Sequence, residues 1–228
     1  MNREQLHVLT DRASKIVTIE GRAYELLEAA GSAEIALLAE YRASDVIKPS
    51  RAACKYLAEC VKSVDGQPYS FDACYAERGF VRGRIALEVY RLSFGDSYAL
   101  PDPCGKCGKQ LGMISVDAIA PIAPMPADVP VLVAGVGRVV FAVDDGAITD
   151  DIARGKIDEL SRRVVSIDDV PVQGMGSAWR LAIRKKLRGA LDAFDGDAGI
   201  SPVVVCGHCG AKQKVHLMND PGFFGLSQ

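Results

Sequence analysis

The sequence predicts an α+β protein: a helical N-terminal region, then an α+β insert held between the two halves of one small cysteine-rich unit. Three observations lead there. Residues 22–30, 32–44 and 49–64 are rich in Ala, Leu and Glu and carry apolar residues at helical spacing. The pattern CGxCG occurs twice, as CGKCG at 104–108 and as CGHCG at 206–210. Between the two, valine-rich stretches broken by glycine alternate with amphipathic ones. The chain divides accordingly into a helical region (1–98), a split cysteine unit (99–120 with 200–228) and an insert (121–199).

RAYELLEAA (22–30) and SAEIALLAEYRAS (32–44) read as helices, with Ser32 a candidate cap for the second and Ile35, Leu38 and Tyr41 along one face. A further helix is expected from Pro49 to Val64. Proline in its first turn costs no hydrogen bond, and DGQP ends it. Val81, Ile85, Val89 and Leu92 mark the next helix, which stops at Gly95. LGMISVDAI (111–119) is a candidate strand, whereas PIAPMPADVP (121–130) holds too many prolines for a helix. VPVLVAGVGRVVFAV (129–143) reads as a hairpin with Gly135 and Gly137 in its turn. AGVG is no dinucleotide fingerprint, which needs GxGxxG opening a helix.

A helix is expected near Thr149, running through TDDIARGKIDELSRR, and RVVSIDDVPV as one more short strand. The acidic group Asp144, Asp145, Asp150 and Asp151 fits turn and cap chemistry around a helix start better than a cation site. From Ser177, a helix presents Trp179, Ile183, Leu187, Ala190, Leu191 and Phe194 on one face. Its other face carries Arg180, Arg184, Lys185, Lys186 and Arg188, a solvated surface or a docking face for an acidic partner. PVVVC leads by a strand into the second CxxC, and KVHLM leads out by another. The terminal GFFG exposes Phe223 and Phe224 unless the cysteine unit or a partner chain covers them.

Two cysteines separated by two residues can both point into one metal site across a tight turn, and the glycine after each pair lets the chain leave with positive φ. Zinc takes four such ligands in a tetrahedron. Cys104, Cys107, Cys206 and Cys209 therefore read as one four-cysteine zinc site, one ion per chain, in a zinc ribbon split by the insert. The 98 residues between the halves (108–205) cost on the order of 4 kcal/mol in loop closure. A structural zinc contributes roughly 10–16 kcal/mol, which offsets that.

A redox dithiol would need a helix after the motif to lower the thiol pKa, and neither motif is followed by a helical pattern. Four thiolates close the coordination sphere, so catalytic zinc is not expected. Lys106, Lys109, Lys212 and Lys214 flank the cysteines, as counter-charges or as plain surface lysines. His208 is a less favoured ligand, His216 reads as a strand residue and His7 as a surface one. Cys54, Cys60 and Cys74 stand alone among small and apolar residues, which fits reduced thiols rather than a disulfide scaffold.

A net charge of −2 gives no whole-protein attraction to nucleic acid. No apolar run is long enough for a membrane helix, and MNREQLHVLTDR lacks the apolar segment of a signal peptide. Nothing argues for an enzyme.

The order RLSFGDSY, CGKCGKQLGMISVD, a strand pair with RVVF, a helical stretch, VVVCGHCGAKQKVHL and a final FF resembles the zinc-ribbon baseplate hub and tail-assembly proteins of T-even-type contractile-tail bacteriophages. The likeness spans about 20–226; the proline-rich 121–130 and the glycines at 79 and 83 depart from it. It implies a non-catalytic structural protein of the virion tail, made in the host cytoplasm, present in several copies and docked on other tail proteins. It also implies that Cys104, Cys107, Cys206 and Cys209 hold zinc. Phe223, Phe224, Arg180, Arg184 and Arg188 are the candidate partner-binding residues. A nucleic-acid-binding ribbon and a transient tail-assembly chaperone are the alternatives.

Overall fold

A computed structural model describes residues 11–42, 49–117, 119, 121–156, 158–196, 200–217 and 221–224. The architecture is α+β, as expected. The chain opens with an antiparallel meander: β1 (Ser14–Ile19), β2 (Arg22–Leu27), β3 (Val61–Val64) and β4 (Gln67–Pro68), neighbours in that order.

One helix expected from composition, and the end of another, are therefore strands. RAYELL is β2, and the helix from Pro49, α2 (Pro49–Cys60), ends at Cys60, so that Val61–Val64 join the sheet. Turn chemistry decides both. Glu20-Gly21 (φ 48° and 79°) and Asp65-Gly66 (φ 51° and 76°) are two-residue turns with both central φ values positive. Such turns match the right-handed twist of a hairpin. Tyr24 and Leu26 then alternate inward while Ala23 faces solvent. A partnered, half-buried strand outweighs the helix propensity of Ala, Leu and Glu, which is small per residue beside tertiary pairing.

Helix α1 (Gly31–Arg42) matches the helix expected at 32–44 but starts one residue earlier, at Gly31, and its face is rotated. Ala33 and Leu37 are buried, whereas Ile35 is 68% exposed, and Leu38 packs at the margin. Ser32 sits inside the first turn, and Ala30 supplies the first carbonyl, to Ala33 N–H at 2.9 Å. The side chain of Tyr41, residues 43 and 44 and the surface reading of His7 lie outside the described residues.

Next come α3 (Phe71–Ala76) and α4 (Gly79–Phe94). Ser70 caps α3 by accepting from Ala73 N–H at 3.2 Å. Helix α4 ends where expected, at Gly95 (φ 85°), whose N–H bonds Arg91 O. It is buried almost all round, Arg82 and Glu88 included. Glu88 meets Lys15 (3.0 Å) and Arg91 (2.6 Å), and these cations hold its carboxyl below the usual range against the effect of burial.

The insert forms a second antiparallel sheet: β7 (Val131–Val133), β8 (Gly137–Phe141), β9 (Val164–Ile167) and β10 (Val170–Pro171), in the order β10-β9-β8-β7. The expected hairpin with Gly135 and Gly137 is β7–β8. RVVSIDDVPV is itself a hairpin, turning at Asp168-Asp169 (φ 48° and 66°), rather than one strand. The helix expected near Thr149 is two, α5 (Gly146–Ala153) and α6 (Glu159–Arg163), broken at Gly155 (φ 63°). Asp145 and Asp158 cap them, accepting from Ile148 N–H (2.8 Å) and Ser161 N–H (3.0 Å).

Across this sheet lies α7 (Leu181–Asp195). It buries Leu187, Leu191 and Phe194 against Val133, Val139, Phe141, Leu160 and Val164, with Trp179, Ile183 and Ala190 at the margin. That is the face expected from periodicity. Arg163, 1% exposed, donates to both Asp195 oxygens and to Ala142 O.

Asp150 joins the insert to the N-terminal region. Fully buried, it accepts from Ser50 N–H at 2.9 Å and from the Tyr75 hydroxyl at 2.8 Å. Gly146 sits so close to Tyr75 that a Cβ there would come within 2.4 Å of the ring. Arg78 adds bonds to Met125 O (2.9 Å) and Phe194 O (3.1 Å). The expectation that the acidic group serves caps holds for Asp145, while Asp150 serves this junction.

Candidate metal centre

Each half of the centre is a tight turn closed by two backbone bonds. In the first, Cys104 N–H reaches Lys109 O and Gly108 N–H reaches Cys104 O, both at 2.8 Å. In the second, Cys206 N–H reaches Ala211 O and Gly210 N–H reaches Cys206 O, both at 2.9 Å. Gly108 and Gly210 have φ of 70° and 68°, the left-handed conformation that their place in the motif requires.

Short hairpins support the turns. β5 (Ser97–Ala99) pairs with β6 (Met113–Ser115), and β11 (Val203–Val205) pairs with β12 (Lys212–Lys214). The outgoing strand is thus Lys212–Lys214 rather than KVHLM; beyond it Val215 and Leu217 turn into the core and His216 meets the Ser201 hydroxyl at 2.8 Å. The Gln213 side chain bridges the halves by accepting from Gly105 N–H at 3.0 Å. No sequence signal marks that glutamine.

The two halves bring Cys104, Cys107, Cys206 and Cys209 together, their four sulfurs all within 4.8 Å of one another. Cys104 Sγ lies 3.7 Å from Cys209 Sγ, and Cys107 Sγ lies 3.7 Å from Cys206 Sγ. A disulfide needs about 2.05 Å, so these are not bonded pairs. Four sulfurs about 2.3 Å from a central ion in a tetrahedron stand about 3.8 Å apart. The observed spacing fits a metal ion.

The electrostatics fit as well. Backbone N–H groups of Cys107 and Lys106 point at Cys104 and hold its thiol down to about 6. Those of His208 and Cys209 lower Cys206 in the same way. The Lys109 N–H pulls Cys107 down, but burial and the neighbouring sulfurs push it up to about 12. The turns thus favour thiolates that repel one another until a cation sits between them. Cys104 and Cys206 are buried, Cys107 is exposed and Cys209 lies between.

His208 is exposed, and it contributes its backbone N–H to the Cys206 sulfur. Lys106, Lys109, Lys212 and Lys214 are all exposed around the rim. Cys54, Cys60 and Cys74 lie buried in α2 and α3, away from this cluster; burial pushes Cys60 up to about 12.

Three of the remaining candidate residues, Phe223, Phe224 and Arg184, are corrected by their surroundings. Phe223 and Phe224 are 2% and 4% exposed, so neither is available to a partner. Phe223 stacks on Tyr90 of α4 (centroids 4.9 Å apart, planes at 6°) and meets Tyr98 of β5 edge-on. Phe224 packs edge-on against Tyr56 of α2 at 5.1 Å. The end of the chain folds back into the core shared by the N-terminal region and the ribbon, which also takes Ile200, Val204 and Leu217. Arg184 is bound to Asp158 and to Gly176 O, which leaves Arg180 and Arg188 exposed on that face.

No protein-family model, no curated protein and no solved structure matches this chain.

Proposed function

We propose that the four-cysteine centre is a structural zinc site, and that the chain is a structural component of a contractile phage tail baseplate or hub, or of a related injection machine. The observation that carries the zinc reading is the closed set of four sulfurs at tetrahedral spacing. With every position filled by cysteine there is no open place for water or substrate, so the metal serves the fold and not a reaction. It ties the end of the chain to its middle and fixes the insert between them.

The tail reading is supported by the resemblance of RLSFGDSY, the two cysteine turns and the final FF to the baseplate hub and tail-assembly proteins. In that role the protein works through contacts with other tail proteins, in several copies, without catalysis.

Metal analysis of freshly purified protein tests the first part: about one zinc per chain is expected, and protein that folds without bound metal overturns it. Mass spectrometry of purified mature particles tests the second. Presence among the tail proteins is expected. Presence only in assembly intermediates makes the chain a transient assembly chaperone instead.

A further inference from the structure

The ribbon hairpin leaves one strand edge open. In β11–β12, Cys206 N–H bonds Ala211 O and Val215 N–H bonds Pro202 O. Bonded and non-bonded pairs alternate in an antiparallel ladder, so the pairs Val203–Lys214 and Val205–Lys212 between them are non-bonded ones. The backbone N–H and C=O of Val203 and Val205 therefore point away from β12, and among the described residues no strand lies beyond β11. Their side chains stand outward too, at 63% and 55% exposure, while Val204 between them is buried. An exposed aliphatic edge of this kind is a template for another strand. The far edge differs: β12 carries Lys212 and Lys214, and its Gln213 is engaged with Gly105.

The charge around this hairpin has one sign. Residues 104–115 and 200–217 contain no Asp or Glu. Lys106, Lys109, Lys212 and Lys214 are exposed, and none pairs with a carboxylate among the described residues. Lys212 and Lys214 share the outward face with Val203 and Val205, one strand spacing of about 4.8 Å away.

We propose that β11 is a docking edge for an extended, acidic segment of a partner protein, which adds as a third strand. Its main chain pairs with Val203 and Val205, its aliphatic side chains cover the two valines, and its carboxylates reach Lys212 and Lys214. A nucleic acid cannot use alternating N–H and C=O groups in a ladder, and the strands Val203–Val205 and Lys212–Lys214 carry no aromatic side chain of their own to stack a base. The inference rests on the reading that the protein works by docking on other proteins, and it names the surface.

The test uses the full zinc-loaded chain with three fluorescent probes: an alternating Glu-Val peptide, its Lys-Val counterpart and a short DNA duplex. Binding of the Glu-Val peptide that weakens with added salt, with no binding of the Lys-Val peptide, is expected. Lys212→Glu with Lys214→Glu weakens it by about tenfold or more. Val203→Pro removes an outward N–H without costing a bond to β12, and abolishes binding while zinc content stays unchanged. Tighter binding of the duplex than of the peptide overturns the proposal in favour of nucleic acid. Absence of peptide binding at low salt, or full binding by the Val203→Pro chain, overturns it outright. Particle mass spectrometry fails or succeeds independently: a chain absent from tail particles that still binds the peptide removes the tail reading and leaves the docking edge.

Discussion

Replacing Phe223 by alanine separates a core residue from a partner-binding one. The ring is 2% exposed, stacked on Tyr90 at 4.9 Å, and met edge-on by Tyr98 at 5.5 Å and by Phe224 at 5.8 Å. Truncating a buried Phe to Ala costs about 3–5 kcal/mol, lost transfer energy and residual cavity together. The upper end applies, because the aromatic contacts are worth about 0.5–1.5 kcal/mol beyond area alone. A melting point falls by about 2–4 °C per kcal/mol in a chain of this size, so Phe223→Ala lowers it by about 10–20 °C. Urea unfolding of the isolated, zinc-loaded chain measures the free energy directly. A partner-facing ring would change the isolated protein by no more than about 0.5 kcal/mol. A loss below about 1 kcal/mol would falsify the core assignment. Phe224→Ala, which vacates the site against Tyr56, provides the second arm. Since the two rings touch, the double variant loses an amount that departs from the sum of the singles by about 0.5–3 kcal/mol.

Other outcomes follow from the same geometry. Cys206→Ser removes one of four ligands, and the purified variant contains less than half the zinc of the parent and melts at a lower temperature; full zinc content refutes the shared site. Arg163→Met leaves Asp195 without its cation in the core of the insert and destabilises by about 3–5 kcal/mol, read by urea unfolding. Arg163→Met with Asp195→Leu regains most of that loss, and failure to regain it places the cost in packing instead. The Arg184 hydrogen bond lowers Asp158 to about 2. A carboxylate with a depressed folded pKa contributes stability above its unfolded value of about 4 and loses it as pH falls through the folded one. The pH-dependent part of the stability difference between parent and Asp158→Asn is thus constant at neutral pH, shrinks below about pH 4 and vanishes only below about pH 2; a difference that does not shrink over this range contradicts the pairing.

The metal centre was legible because its signal is local and chemical. Two cysteines, their spacing and the following glycine specify a turn with little help from the rest of the chain. The α7 face was legible for a similar reason: Ile183, Leu187, Leu191 and Phe194 repeat at helical spacing against a polar opposite face, and the burial agrees. RAYELL was not legible from propensity, because Ala, Leu and Glu describe the isolated segment while the strand is decided by its neighbours; VKSV, whose valines suit a strand, was hidden by the helical pattern that runs into it from Pro49. The information was still present, in the pairs Glu20-Gly21 and Asp65-Gly66, whose turn geometry outranks composition.

Phe223 and Phe224 show the other limit. A terminal GFFG has the same composition whether it is buried or offered to a partner. What decides it is the place for Phe223 against Tyr90 and Tyr98 and the place for Phe224 against Tyr56, residues that lie on three elements spread over more than forty positions. A metal ion held by the four cysteines would link these observations. The second cysteine turn must reach Cys104 and Cys107 to complete the tetrahedron, and the chain that leaves it inserts Val215, Leu217 and then the two phenylalanines beside α4 and α2. On the proposed zinc reading, metal loading and the burial of Phe223 are coupled, and the aromatic contacts of the chain end depend on the site that brings it there. Stripping the metal with a chelator should make Phe223→Ala nearly neutral relative to the equally stripped parent. An undiminished penalty in the metal-free protein would show that the phenylalanines hold the chain end without the cysteines.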